Sequence, residues 1–200
     1  MSQPIDFYFD FYSPYGCLAS LQVDKIAARH HRTVNWIPFM LGAVFKVEGM
    51  TPLTDIPLVG PYSRHDFSRS ARLINADFEF PDDFPKAALA PSRAYYWLLD
   101  RDPTTAHMLA QKVYHAIFVE QRDGSDPNLV AELAQPLGVN REELLAAVQE
   151  PAIKQRLKTE TERAIERGVC GSPFFFVDDE PFWGNDRLWQ IDKWLESGGW

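Results

Sequence analysis

The chain has 200 residues, of which 46% are hydrophobic and 14% aromatic, and its formal net charge is −8. This length and composition are typical of a globular protein with a sizeable core, and they exclude a largely disordered chain. The negative charge argues against a nucleic-acid binder, because affinity for the phosphate backbone depends on clustered Lys and Arg. No apolar run in the sequence is long enough to span a bilayer.

Cysteine usage and the start of the chain favour a cytoplasmic protein. Cys17 and Cys170 lie far apart in sequence and do not provide a disulfide framework. The first residues lack the charged leader and apolar stretch of a secretory signal. The five histidines have no metal-ligand spacing with cysteine or carboxylates, so no metal site is expected.

The first predicted elements form a β-α-β unit. Residues 5–11 are aromatic and β-branched, and they predict a mostly buried strand whose apolar run is broken by Asp6 and Asp10. Residues 13–30 have the apolar spacing of a helix, and residues 33–39 predict a second strand. Because such units are almost always right-handed, the two strands are expected to run parallel.

The middle of the chain is predominantly helical. Residues 42–61 are punctuated by glycine and proline, and they are predicted to be irregular. Helices are then predicted at residues 62–75, 88–99, 104–121, 127–137, 141–148 and 151–167.

The last part of the chain returns to strands. Residues 173–177 and 181–183, joined by a polar turn, predict a hairpin, and residues 186–195 predict a final helix. The order is therefore β-α-β, a block of helices, then α-β-β-α. It predicts an α/β domain built from residues 1–40 and 160–200, interrupted by an all-helical insertion over residues 41–159.

Ser13 and Pro14 mark the junction between the first strand and the first helix. The first turn of a helix offers unpaired N–H groups and the positive end of the helix dipole, which suit an anion. Pro14 fits the first helical position, where its missing N–H is not needed. An N-cap serine followed by proline is also an ordinary helix start, so this junction alone leaves both interpretations open.

Two later loops carry polar groups that suit a ligand. Ser172-Pro173 directly precedes an apolar strand, where a cis peptide would leave the Ser172 backbone able to pair with an extended peptide-like ligand. An ordinary loop proline is the alternative. Asn185 and Asp186 precede the last helix and serve either as caps or as partners for the charged groups of an amino-acid moiety.

Taken together, these segments resemble the 2-hydroxychromene-2-carboxylate isomerases, relatives of kappa-class glutathione transferases and, more distantly, of DsbA-like disulfide oxidoreductases. The resemblance covers nearly the whole chain. Its segments are residues 9–15 (FDFYSPY), 38–46 (PFMLGAVFK), 125–127 (SDP), 162–169 (ERAIERGV), 171–173 (GSP) and 182–188 (FWGNDRL).

The resemblance implies a thioredoxin-like fold with a helical insertion, a homodimer and bound glutathione. Ser13 would be the catalytic residue, donating a hydrogen bond that keeps the glutathione sulfur as a thiolate. Lys46 would contact the carboxylate of the substrate. The remaining glutathione contacts would come from the backbone of Ser172 before a cis Pro173 and from Trp183, Gly184, Asn185 and Asp186.

The implied reaction opens the ring of a 2-hydroxychromene-2-carboxylate and rotates a bond to give a benzylidenepyruvate, a step in the breakdown of aromatic compounds. Glutathione would be a cofactor that is regenerated in each turnover. Three positions on the presumed substrate side depart from the family pattern. Val59 stands where relatives usually carry lysine, and Met50 and Ala87 stand where they usually carry asparagine.

Two other functions remain open: a kappa-type glutathione transferase or peroxidase, and a non-catalytic protein that binds glutathione or a peptide. Cys17, one helical turn after Ser13, is the competing nucleophile, but we expect it to be a packing residue. A Cys-x-x-Cys disulfide exchanger needs cysteines where this chain has Ser13 and Gly16, so that chemistry is excluded. His65 is a further candidate to face the cleft.

Overall fold

The computed structural model describes residues 3–81 and 84–200. Its sheet has the strand order β2-β1-β3-β4. β1 runs parallel to β2 and β3 forms an antiparallel hairpin with β4, as predicted, and β3 also pairs antiparallel with β1. The strands are β1 (Ile5–Phe9), β2 (Val34–Pro38), β3 (Phe174–Val177) and β4 (Glu180–Trp183).

Helices occupy most of the remaining described chain. They are α1 (Pro14–Ser20), α2 (Val23–Arg29), α3 (Leu41–Glu48), α4 (Val59–Leu73), α5 (Leu89–Leu99), α6 (Pro103–Phe118), α7 (Pro127–Ala134), α8 (Arg141–Ala147), α9 (Pro151–Glu166) and α10 (Leu188–Ser197). Short 3-10 turns lie at Leu53–Asp55, Gln135–Leu137 and Asn185–Arg187.

Two predicted elements differ from the structure. The single helix predicted over residues 13–30 is two helices in the structure: α1 ends at Ser20, and α2 begins at Val23. The irregular segment predicted over residues 42–61 begins instead with α3. This helix starts where a carboxylate distant in sequence accepts the first N–H, and it ends at Gly49 in the left-handed conformation (φ 65°), a common helix stop.

The central strand β1 is covered on both faces. Phe7 and Phe9 are fully buried on one face, where the ring of Phe7 stacks on that of Phe175 with the centroids 5.2 Å apart. Tyr8 points to the other face and packs edge-on against Phe39. Burial on both faces explains why the strand reads as a nearly continuous aromatic run rather than as an alternating pattern.

Within residues 3–81 and 84–200, no helix has both the length and the apolar character needed to cross a membrane. The same residues contain no group of three or more His, Cys, Asp and Glu side chains arranged to hold a metal ion.

Candidate functional site

Ser13 lies at the end of the segment that follows β1, as the N-cap of α1. Its backbone is extended (φ −86°, ψ 113°), and its hydroxyl oxygen accepts a 3.0 Å hydrogen bond from the N–H of Gly16. The same hydroxyl donates a 2.7 Å hydrogen bond to the carbonyl oxygen of Ser172. The side chain therefore caps the helix and also reaches the second predicted loop. The helix-cap interpretation of the Ser13-Pro14 junction is confirmed, and the anion site stays a prediction.

The Ser172–Pro173 peptide bond is cis, as the sequence suggested. The Ser172 hydroxyl oxygen accepts a 2.9 Å hydrogen bond from the N–H of Asp10, and the Ser172 carbonyl oxygen accepts the hydroxyl of Ser13. No described residue accepts a hydrogen bond from the N–H of Ser172. This loop thus presents one unused backbone donor beside the start of α1.

The turn after β4 is joined to the cis-proline loop. The N–H of Gly184 donates a 3.0 Å hydrogen bond to the carbonyl oxygen of Pro173, and Gly184 has the φ of 112° that favours glycine. The indole of Trp183 lies against Gly171, where an added Cβ would come within 2.1 Å of its Nε1 atom. Trp183 nevertheless stays 54% exposed, so about half of its surface is accessible to a ligand.

Asn185 and Asp186 do not act as helix caps. α10 begins at Leu188 with Arg187 as its N-cap, and neither this helix nor the preceding 3-10 turn has a side-chain cap hydrogen bond. The side-chain amide oxygen Oδ1 of Asn185 accepts a 3.4 Å hydrogen bond from the side chain of Gln22, and the exposed Asp186 pairs with the neighbouring Arg187 at 2.8 Å. The capping alternative raised by the sequence is therefore not realised here.

Lys46 lies on α3 with its side chain exposed. Within the described chain its ammonium group forms no ion pair or hydrogen bond, either with Ser13 or with any other residue. The first residue of this helix is tied to the Ser13 turn through Asp10. His65, on α4, is also exposed.

The positions that depart from the family pattern lie at the surface. Met50 is 38% exposed, Val59 is 37% exposed, and Ala87 is exposed. Apolar side chains therefore stand on this surface where relatives usually carry polar ones.

Two residues of the site were not predicted from the sequence. Asp10 was interpreted only as an interruption of a strand, and Gly16 only as a position that lacks a cysteine. Asp10 is 5% exposed, and burial raises the pKa of its carboxyl from 3.8 to about 6. At Gly16, an added Cβ would lie 3.0 Å from both the Ser172 hydroxyl oxygen and the Tyr114 hydroxyl oxygen. A single carboxylate within an aromatic strand was the sequence feature that could have indicated a role for Asp10. Tyr114, on α6, has no sequence feature that indicates a role in the site.

The cysteines are poor nucleophiles in this structure. Cys17 is buried, and burial raises the pKa of its thiol well above the ordinary value. Cys170 is partly exposed, and desolvation raises its thiol pKa as well. Because the thiolate is the reactive form, the raised pKa values disfavour both side chains as nucleophiles. The expectation that Cys17 is a packing residue agrees with its burial.

Comparison with known proteins places the chain in a family. A protein of Sphingobium xenophagum named 2-hydroxychromene-2-carboxylate isomerase is 29% identical over 98% of this chain and 99% of its own length. Glutathione S-transferase kappa 2 of Caenorhabditis elegans is 24% identical over 96% of this chain and 91% of its own length.

A solved structure described as selenomethionine 2-hydroxychromene-2-carboxylate isomerase superposes with a TM-score of 0.88. It shares 27% identity and covers 98% of this chain and 95% of its own. The resemblance stated from the sequence motifs is confirmed. The model of the DSBA-like thioredoxin domain matches residues 4–196, so the chain belongs to the DSBA-like thioredoxin domain family.

Proposed function

We propose that this protein is a glutathione-dependent isomerase that acts on 2-hydroxychromene-2-carboxylate-like aromatic compounds. The observation that carries the proposal is the 2.7 Å hydrogen bond from the Ser13 hydroxyl to the carbonyl oxygen of Ser172. It places a hydroxyl donor, rather than a cysteine thiol, against the cis-proline loop of a thioredoxin-like fold. Such a site suits the sulfur of another molecule.

The residues of this chain fit glutathione. The unused N–H of Ser172 is a donor for a peptide carbonyl, and the Ser172 carbonyl oxygen is an acceptor for a peptide N–H. Asp186 is exposed and does not cap a helix, and its carboxylate pairs with the exposed side chain of Arg187, a partner that the ammonium of a γ-glutamyl group would share or replace. Trp183, Gly184 and Asn185 would complete that end of the site.

Ser13 has a defined task in this proposal. A free thiol ordinarily titrates near 8.5, so a protein that uses a thiolate near neutral pH must favour the charged form. The Ser13 hydroxyl would donate to the sulfur, and the adjacent N–H groups of the first turn would face the same charge. α1 has only seven residues, so the hydroxyl rather than the helix dipole is the main contributor.

Bound glutathione would supply a thiolate that adds reversibly to the chromene and is regenerated after bond rotation. The protein residues orient the two molecules and balance their charges. Lys46, whose ammonium has no ion-pair partner among the described residues, would meet the substrate carboxylate. A homodimer in the cytoplasm and the division into a discontinuous domain and an insertion remain expectations from the sequence.

A kappa-type transferase or peroxidase is the second candidate. The apolar side chains of Met50 and Val59, where the family usually carries polar ones, favour a different second substrate. Glutathione would then be consumed once for each product molecule. A non-catalytic glutathione-binding protein is the third candidate, and it predicts binding without any turnover.

The deciding experiment follows a chromene carboxylate spectrophotometrically with no glutathione, with a trace and with an excess. S-methylglutathione, whose sulfur cannot ionise, is the control for occupation of the site. Many turnovers for each trace glutathione molecule would support the isomerase, whereas consumption of one glutathione for each product would support the transferase. Reduced glutathione should raise the Tm in every case, because a ligand that prefers the folded state stabilises it. A Tm that does not respond to millimolar glutathione would contradict all three.

A further inference from the structure

Asp10 is a buried carboxylate that the proposed reaction does not use. It lies between the end of β1 and Ser13 and is 5% exposed. No Lys, Arg or His in the described chain forms an ion pair with it. An unpaired buried charge is costly unless hydrogen bonds satisfy it, so its surroundings require an explanation.

Both oxygens of the carboxylate accept hydrogen bonds from backbone N–H groups. One oxygen accepts from Tyr12 at 2.8 Å, and the other accepts from Leu41 at 2.9 Å. Tyr12 immediately precedes Ser13, and Leu41 is the first residue of α3. The side chain therefore bridges the serine turn and the start of the helix that carries Lys46.

The backbone of Asp10 extends this network to the other parts of the site. Its N–H donates a 2.9 Å hydrogen bond to the Ser172 hydroxyl oxygen. Its carbonyl oxygen accepts the N–H of Ser13 at 2.9 Å and the hydroxyl of Tyr114 at 3.1 Å. One residue thus contacts the serine turn, the cis-proline loop, α3 and α6.

We infer that Asp10 is the positioning residue that holds the Ser13 turn against the cis-proline loop and the start of α3. Its carboxylate joins the turn to the first residue of α3, and its backbone N–H joins the end of β1 to the cis-proline loop. The role in glutathione chemistry rests on the proposed function. The positioning itself does not, because it concerns contacts within the free protein.

Asp10→Asn is the first variant. An asparagine oxygen accepts only one of the two N–H groups, and its NH₂ group then faces the other donor. We expect amide hydrogen exchange at Tyr12 or Leu41 to accelerate on the order of tenfold, as for the loss of one buried hydrogen bond. Turnover should fall, with a larger change in kcat than in KM for glutathione, because the chain still presents Ser172 and Asp186.

Asp6→Asn is the matched control. Asp6 lies on the same strand, and its carboxylate pairs with Arg167 and accepts from Asn35 rather than from the serine turn. This variant should leave exchange at Tyr12, Ser13 and Leu41 unchanged, together with the turnover.

Leu41→Pro tests the contact from the other side. Leu41 is the first residue of α3, where proline is tolerated, and Met40 before it is already extended (φ −94°, ψ 99°). The substitution removes one N–H donor, and the Cδ of the proline ring takes the place of the hydrogen that faces the Asp10 carboxylate, so the carboxylate must move away from the start of α3. Since that hydrogen bond lowers the Asp10 pKa, carboxyl NMR should show the pKa rising, and exchange at Tyr12 and Ser13 should accelerate.

Unchanged exchange at Tyr12, Ser13 and Leu41 in Asp10→Asn, together with unchanged exchange at Tyr12 and Ser13 in Leu41→Pro, would overturn the inference. If Asp10→Asn accelerates exchange across the whole chain, Leu41→Pro is the deciding variant. Faster exchange confined to Tyr12 and Ser13 in Leu41→Pro would support local positioning, and faster exchange across the whole chain there as well would contradict it. If wild-type protein fails to bind glutathione in calorimetry, the proposed function fails, but the exchange measurements on free protein still decide the role of Asp10.

Discussion

The hydroxyl of Ser13 donates a hydrogen bond to the carbonyl oxygen of Ser172, a residue 159 positions later in the chain. In the free protein this bond pairs the Ser13 hydroxyl with the Ser172 carbonyl oxygen, two of the groups that the proposal assigns to glutathione. A ligand N–H that takes over the Ser172 carbonyl would release the Ser13 hydroxyl to turn towards the sulfur. Binding and activation of the thiol would then be coupled through one exchange of hydrogen-bond partners.

Ser13→Ala should lower turnover by on the order of 10²-fold or more, as expected when a positioned donor to a developing anion is removed. It also removes the helix cap, which lowers the free energy of unfolding by about 1 kcal/mol. Ser20→Ala is the control, because that hydroxyl lies in the same helix and donates to the carbonyl oxygen of Cys17. Steady-state kinetics on the folded fraction of each variant separate the loss of turnover from the loss of stability. Full turnover in Ser13→Ala would refute the assigned role.

Gly171→Ala should weaken glutathione binding roughly tenfold, comparable to the loss of one good polar contact. The added Cβ would overlap the indole of Trp183 and displace it from the turn that carries Gly184. Gly42→Ala is the control, since an added Cβ there meets no atom within 4 Å. Calorimetric titration of both variants measures the effect. Equal affinity in the two would argue that Trp183 takes no part in binding.

The stability of the protein should depend on pH through Asp10. Burial raises its folded-state pKa from 3.8 to about 6, so the folded state holds a proton that the unfolded state has released. Stability from this group is greatest below pH 3.8 and is lost as the pH rises to about 6, a difference of about 3 kcal/mol. Tyr114 faces this group from α6, where its hydroxyl donates to the Asp10 carbonyl oxygen.

Denaturant unfolding at a series of pH values tests this dependence. In Asp10→Asn the loss between pH 4 and 6 should disappear, because the side chain no longer titrates. Curves for wild type and variant that stay parallel over this range would show that Asp10 does not titrate as described.

Cys17 should resist alkylation in the folded protein, and Cys170 should react slowly, because burial or desolvation raises the pKa of both thiols. Mass spectrometry after iodoacetamide treatment measures this, with the denatured chain as the control in which both react. Cys17→Ala should keep its turnover below its own Tm. Loss of turnover there would reinstate Cys17 as the nucleophile.

The fold class was predictable from sequence because the strands carry strong local signals. The aromatic runs at residues 5–11 and 173–177 identify the two central strands, and Ser13-Pro14 identifies the first helix start. α3 was not predictable in this way. Its first N–H is capped by Asp10, which lies 31 residues earlier, so the signal that starts the helix is tertiary rather than local.

The candidate site was predictable only in its polar parts. Ser13 and Ser172 are brought together as the motifs suggested, and Trp183 and Gly184 adjoin the same loop. The supporting residues Asp10 and Gly16 were not identified from the sequence. Their roles depend on contacts with residues far away in the chain, and the spacing of residues in the sequence does not reveal such contacts. Tyr114 lies about a hundred residues from the segment it supports, within a helix whose apolar pattern needs no functional explanation.

Gly16 limits the chemistry that this scaffold can acquire. A Cβ at this position would lie 3.1 Å from the Cβ of Ser13, whereas a disulfide needs about 3.5–4.5 Å between these atoms. It would also press on the hydroxyls of Ser172 and Tyr114. Cysteines at positions 13 and 16 would therefore need shifts of a few tenths of an ångström in the first turn of α1 and in the Ser172 and Tyr114 hydroxyls before they could form a disulfide. The acquisition of thiol-exchange chemistry by this scaffold thus depends on Ser172 and Tyr114 as well as on the two reactive positions.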